Sequence, residues 1–228
     1  MSAALLFLGL IVAAPPPADP EALATKPEML SREEARLKLQ AIAQLRPNPD
    51  SELRQMLRDA ARMLVADDAT LPQHFPAPAG EADQHAFREG LESCQKNVSY
   101  KHYEYSALLD DLGLKSDERD REPGVWKAHH DFVTAQLAVR IAELYEHNAH
   151  VGQLRRMTNP IDPQSAGWRL VPRKGEEQDR DVVRSQARAR KHLDRLVRDY
   201  PGTDWERIAR QQIASIPPPR QWQQVPRQ

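Results

Sequence analysis

Nineteen prolines in a chain of 228 residues limit the fold more than any other feature, because of where they stand. They gather in a tether after residue 14, in three loops and in a tail. Each lacks a backbone N–H and breaks a helix interior at a cost of ~3 kcal/mol, so long helices are confined to the intervals between them. Within those intervals apolar residues recur at three- and four-residue steps rather than alternating. Only nine glycines and four phenylalanines are present, and mean hydropathy is -0.71. Together these features predict an all-α fold with a thin core. About six helices form an antiparallel bundle with long Pro-rich loops. The length fits one or at most two small domains. With 40% hydrophobic residues, and 32 Lys+Arg against 33 Asp+Glu, a membrane-embedded or wholly disordered chain is excluded.

Residues 1–14 read as a signal peptide, with an uncleaved anchor as the alternative. The stretch Ala3 to Ala14 is apolar or small and runs for twelve residues, too few for the ~20 that span a bilayer. Val12-Ala13-Ala14 supplies small residues where a signal peptidase reads, although no basic residue precedes the run. No cysteine follows, which excludes a lipid-modified N-terminus. Cys94 is the only cysteine, so no intrachain disulfide forms and packing alone holds the fold. That economy suits a bacterial periplasm better than an animal extracellular space. The expectation is an exported, periplasmic or envelope-associated protein with no membrane span after cleavage.

Residues 15–28 read as a Pro-rich tether and 29–215 as a single helical domain. An N-terminal hairpin over 31–66 begins at a Ser31/Glu34 capping box, and Asp50 caps its second helix. Residues 67–80 form a loop in which Phe75 closes the open end of the hairpin. Long helices occupy 81–156, the second of them running from Val125 to Arg156 and bracing the domain. The charged stretch 114–124 turns the chain between them. Residues 158–178 form another loop, from which Trp168 docks onto the helices. A last pair over 179–215 turns at Pro201-Gly202 and restarts at a Thr203/Glu206 capping box. The Pro-rich tail 216–228 is not helical and either drapes over the fold or is free.

The run Tyr200-Pro201-Gly202-Thr203, with Trp205 and Ala209, resembles the helix–helix junction of tetratricopeptide-like repeats in envelope proteins. Such a turn is short, capped and pinned by two aromatic side chains. A wider stretch, roughly 120–215, includes Trp126 to Asp131, Val139-Arg140, Tyr145, Gly167 to Pro172 and that junction. It is similar to the C-terminal region of uncharacterised planctomycete-type bacterial envelope proteins, some of which carry a von Willebrand factor A domain. This chain has no room for such a domain, so the resemblance implies a fold and no activity. Only one repeat-like pair is present, whereas stacked solenoids need about three.

His130-Asp131 is the sharpest chemical pattern. Adjacent His and Asp on a helix, with His102 upstream and Asp194 or Asp199 downstream, resembles metal-dependent phosphohydrolases of the HD type. Imidazole and carboxylate there would hold a divalent ion and acidify its water. The structural alternative is a packed core histidine, since His130 lies on the apolar stripe four residues from Trp126. His147 and His150 share a helix face, which suits either a helix C-terminal dipole or an incomplete metal site. No Gly-rich phosphate loop, nucleophile elbow, H-E-x-x-H or cysteine pair occurs. No catalytic group and no cofactor is assigned.

The near-zero net charge conceals a division. Residues 180–228 hold eleven Lys+Arg and five Asp+Glu, a balance of +6 that leaves -7 on the rest. Arg184, Arg188, Arg190, Lys191, Arg195 and Arg198 cluster there, interrupted by Asp194 and Asp199. A solvated amphipathic face accounts for many such runs, and nucleic acid is not favoured as a partner. The leading expectation is a non-enzymatic interaction or scaffold module that docks an envelope protein or peptide. Its candidate contacts are Arg184, Arg188, Arg195, Trp168, Tyr200 and Trp205. The alternative is an HD-type hydrolase using His102, His130 and Asp131.

Overall fold

The structure is a computed structural model that describes residues 27–46, 51–67, 71–157, 165–172, 179–216 and 220–226. Seven helices and three short strands follow one another among them. In chain order these are α1 (Pro27–Gln44), α2 (Glu52–Ala66), β1 (His74–Pro76), α3 (Glu81–Leu114), α4 (Ser116–Arg121), α5 (Gly124–Met157), β2 (Ser165–Pro172), α6 (Arg180–Asp199), α7 (Asp204–Ala214) and β3 (Arg220–Pro226). The fold is mainly α-helical, as the proline spacing predicts. The expected signal peptide and the tether up to residue 26 lie outside the described residues. The last two tether residues, Pro27 and Glu28, instead open α1, where a proline at the first helical position forfeits no hydrogen bond.

The 34-residue α5 is the axis of the bundle. Ala128, Phe132, Val133, Leu137, Leu144 and Val151 are each fully buried along it. A helix apolar around most of its circumference must be covered on several sides. Helices α3 and α6 cover two flanks and α2 crosses a third, while α1 packs on α2 and α7, and α7 on α6. Both long neighbours run antiparallel to α5. Ser99 bonds Asn148 and Leu112 lies against His130 on the α3 side. On the α6 side Asp179 meets Tyr145 and His192 meets Asp131.

Two expected caps are displaced, and a third, Thr203, holds its place at the start of α7 without the expected side-chain bond. Ser31 lies inside α1 rather than at its start. The cap of α2 is Ser51, not Asp50, and its hydroxyl accepts the Arg54 N–H at 3.3 Å. At α7, Thr203 donates its hydroxyl back to the Tyr200 carbonyl at 2.6 Å, and Glu206 accepts from the Gly202 N–H at 2.7 Å. The chain turns there through Gly202 at φ +72°, a conformation that glycine adopts without strain. The charged stretch expected to be a simple turn holds the short helix α4.

The loops around residues 67–80 and 158–178 and the tail each contribute a strand to one antiparallel sheet of order β1-β2-β3. Phe75 pairs with Trp168, and Leu170 with Trp222. Every strand ends at a proline, the position where a missing N–H costs the ladder least. Phe75 therefore does not close the N-terminal hairpin. It packs edge-on to Trp222 and stacks beside His147, while Trp168 stacks on Phe87. The sheet caps a second small core of Leu91, Val151 and Leu154 at the far end of α3 and α5.

Candidate functional site

Antiparallel packing brings a polar cluster into the wall between α5 and α6. Asp131 on α5 is fully buried, with His130 3% and His192 8% exposed beside it. His192 Nδ1 donates to Asp131 Oδ1 at 2.9 Å, and Arg195 Nη1 approaches the same oxygen at 3.5 Å. The other oxygen, Oδ2, accepts from Arg119 Nη2 of α4. Arg119 is itself buried and reaches Asp120 at 2.6 Å. Burial alone would raise the Asp131 pKa. The His192 N–H and the Arg119 guanidinium outweigh it and hold the carboxyl well below the usual range. Burial lowers the His192 pKa in spite of Asp131, so the ring is neutral at pH 7. With Nδ1–H given to Asp131, its Nε2 carries the free lone pair.

His130 donates from Nε2 to the Leu112 carbonyl at 3.4 Å, and its Nδ1 stands 3.6 Å from Asp131 Oδ1 without a hydrogen bond. That is the packed core histidine with one hydrogen bond. His130, Asp131 and His192 nevertheless offer three ligand atoms within 4.8 Å of one another.

Above this cluster opens a cleft of about 620 Å³ between the C-terminal end of α3, α5 and α6. Arg188, Lys191 and Arg195 line it from one face of α6, at helical steps of three and four, with His130, His192 and Thr134 among its other walls. Arg188 is held by Asp110 at 3.2 Å and by the Leu109 carbonyl at 2.9 Å. Gly113 leaves room for it: a Cβ there would lie 2.9 Å from Arg188 Nη2. Lys191 is exposed and has no ion-pair partner among the described residues. Thr134 is 1% exposed and its hydroxyl has no hydrogen-bond partner among the described residues.

Not every expected residue reaches this place. His102 does not join His130 and Asp131, because α3 runs antiparallel and sets its ring 5.7 Å from that of Tyr145. Tyr145 is fifteen residues beyond His130 on α5, about 22 Å at ~1.5 Å per residue. Asp194 is exposed, and Asp199 pairs with Arg198 at 2.7 Å, so neither supplies a further ligand. His147 and His150 lie about three and two turns before the end of α5, out of reach of its terminal dipole. His147 packs against Phe75 and lies 3.7 Å from Cys94 Sγ, while His150 faces Glu146 and Trp222.

Arg188 and Arg195 line the cleft, while Arg184 lies outside it, paired with Asp181 at 3.0 Å. The three aromatic candidates pack inward. Trp168 is buried, Tyr200 donates its hydroxyl to the Gly124 carbonyl at 2.6 Å, and Trp205 packs on Phe132 and His129 under Lys38.

His192, Arg119 and Thr134 escaped the sequence reading. His192 was legible as the residue beside Leu193 on the buried stripe of α6. Arg119 was hidden in a charged run, where nothing marks the one guanidinium that turns inward.

Comparison of the chain with protein-family models, with curated proteins and with solved structures found no match in any of the three.

Proposed function

We propose that the protein is a non-enzymatic interaction module of a bacterial cell envelope that receives an acidic segment of a partner protein in the α5/α6 cleft. The observation that carries this reading is the cationic wall formed by Arg188, Lys191 and Arg195 around about 620 Å³ of open space. Lys191 has no ion-pair partner among the described residues. An unpaired ammonium at the rim of a concave surface favours an anionic ligand and speeds its approach. The apolar run at Ala3 to Ala14, and the resemblance of residues 120–215 to planctomycete-type proteins, support the envelope as the setting.

A fluorescein-labelled Glu/Asp-rich peptide, followed by anisotropy at two salt concentrations, tests this reading. Binding that weakens with salt and falls severalfold in Lys191→Ala is expected. Equal affinity for a Lys-rich control, or no effect of Lys191→Ala, contradicts it. Lys191 is a cleaner probe than Arg195, whose guanidinium also supports Asp131.

A second reading, a metal-dependent hydrolase of HD type, has one observation in its favour: the close set His130, Asp131 and His192. Against it, Asp131 is already neutralised by Arg119 and approached by Arg195, and two guanidiniums repel a divalent ion. Metal analysis of protein purified without chelator tests it. A stoichiometric divalent ion lost in His192→Gln would favour the hydrolase, and no ion would remove it.

A further inference from the structure

We infer that the anionic group seated in this cleft is a phosphomonoester, held on a floor of His192 and Thr134 and gripped by Lys191 and Arg195. The inference rests on the docking reading and narrows it from acidic to phosphorylated segments. The first ground is unused hydrogen-bonding capacity. Thr134 Oγ1 has no hydrogen-bond partner among the described residues at 1% exposure, and a buried hydroxyl left unpaired carries a desolvation cost that a ligand oxygen would recover. His192 Nε2 has no hydrogen-bond partner among the described residues, while Asp131 fixes its ring from the other side. Lys191 brings three donors, and Arg195 spends only one long contact on Asp131.

The second ground is the number of acceptors required. A carboxylate has two oxygens and one charge. A phosphomonoester has three terminal oxygens and a charge of about -1.5 to -2 at pH 7, which matches donors arriving from both α5 and α6.

The third ground is charge balance. Arg119, Arg188, Lys191 and Arg195 meet Asp110, Asp120 and Asp131 here, an excess of one positive charge. That excess favours a dianion over a monoanion, so charge joins the acceptor count in selecting phosphate over carboxylate.

Isothermal titration of the full chain with a phosphoserine peptide, the same peptide carrying Glu in place of phosphoserine, and methyl phosphate tests this inference. The phosphoserine peptide is expected to bind at least about tenfold more tightly than its Glu counterpart, with methyl phosphate competing. Lys191→Ala is expected to cost about tenfold and Thr134→Val severalfold. His192→Gln is expected to weaken phosphoserine binding severalfold. Lys191 is on the surface and Thr134→Val keeps the side-chain shape, so both variants fold even where His192→Gln does not.

Equal affinity for the phosphoserine and Glu peptides overturns this inference and leaves acidic docking standing. Binding of neither peptide overturns both. A phosphate preference untouched by Lys191→Ala and Thr134→Val places the site elsewhere and overturns the assignment. Methyl phosphate binding as tightly as the peptide upholds the site and assigns it to free phosphomonoesters rather than to a partner's side chain.

Discussion

Asp131 keeps its charge at 0% exposure because Arg119, His192 and Arg195 surround it, and those groups in turn depend on it. Asp131→Asn would leave the Arg119 guanidinium buried against a neutral amide. Breaking a buried pair from one side costs about 3–5 kcal/mol, so the urea midpoint of Asp131→Asn should fall sharply. A variant as stable as wild type would show that Asp120 and solvent suffice to stabilise the Arg119 charge. The buried histidines give stability a pH dependence of definite sign. Burial, with Lys38 nearby, lowers the His129 pKa to about 4. Burial, with Arg220, His150 and Arg140 nearby, does the same for His147. Between pH 6.5 and 4 the unfolded chain binds a proton at each ring that the folded protein refuses. Stability is therefore complete above pH 6.5 and is lost down to pH 4, by about 3 kcal/mol for each ring. Urea melts at pH 7.5 and 4.5 should differ accordingly, and His147→Phe should reduce the difference by about one ring's share. Identical midpoints at both pH values would contradict neutral burial.

At the scale of elements, the helices follow from periodicity and the strands do not. The boundaries of α5 and α6 fall within a residue or two of the apolar repeats because those helices have extended faces to bury. β1 has three residues, and β2 and β3 carry terminal prolines, so neither length nor alternation marks them. Their pairing is long-range and rests on Gly167, whose φ of +148° brings β2 so close to β1 that a Cβ would lie 2.3 Å from the Phe75 carbonyl oxygen. β3 is also bound to the helices. Trp222 Nε1–H donates to the His150 carbonyl at 2.7 Å, and Arg220 contacts Glu146 at 2.6 Å. Deleting residues 217–228 should therefore lower Tm by several degrees, since ~1 kcal/mol is worth about 2–4 °C at this size. It should also raise the solvent exposure of Trp168, read as a red shift of tryptophan emission. A truncated chain with unchanged Tm would mean that the tail adds no stability.

At the scale of the whole molecule, the division of charge was legible as a +6 segment, and its place in the fold was not. Most of the basic residues on α6 face solvent or pair locally, as Arg184 does with Asp181 and Arg198 with Asp199. The three that line the cleft are selected by the angle at which α6 crosses α5 and by the ends of α3 and α4, which no linear pattern records. His102 illustrates the same limit: its spacing from His130 suggested one site, and the antiparallel course of α3 separates the two. The claim that joins these scales is that the α5/α6 cleft receives the anionic group of a partner. Backbone amide shifts of the 15N-labelled chain, titrated with the phosphoserine peptide, test it most directly. Shifts concentrated at residues 112–116, 130–134 and 187–195 are predicted. Shifts confined to the α1–α2 hairpin or the sheet, or none at saturating peptide, would contradict it.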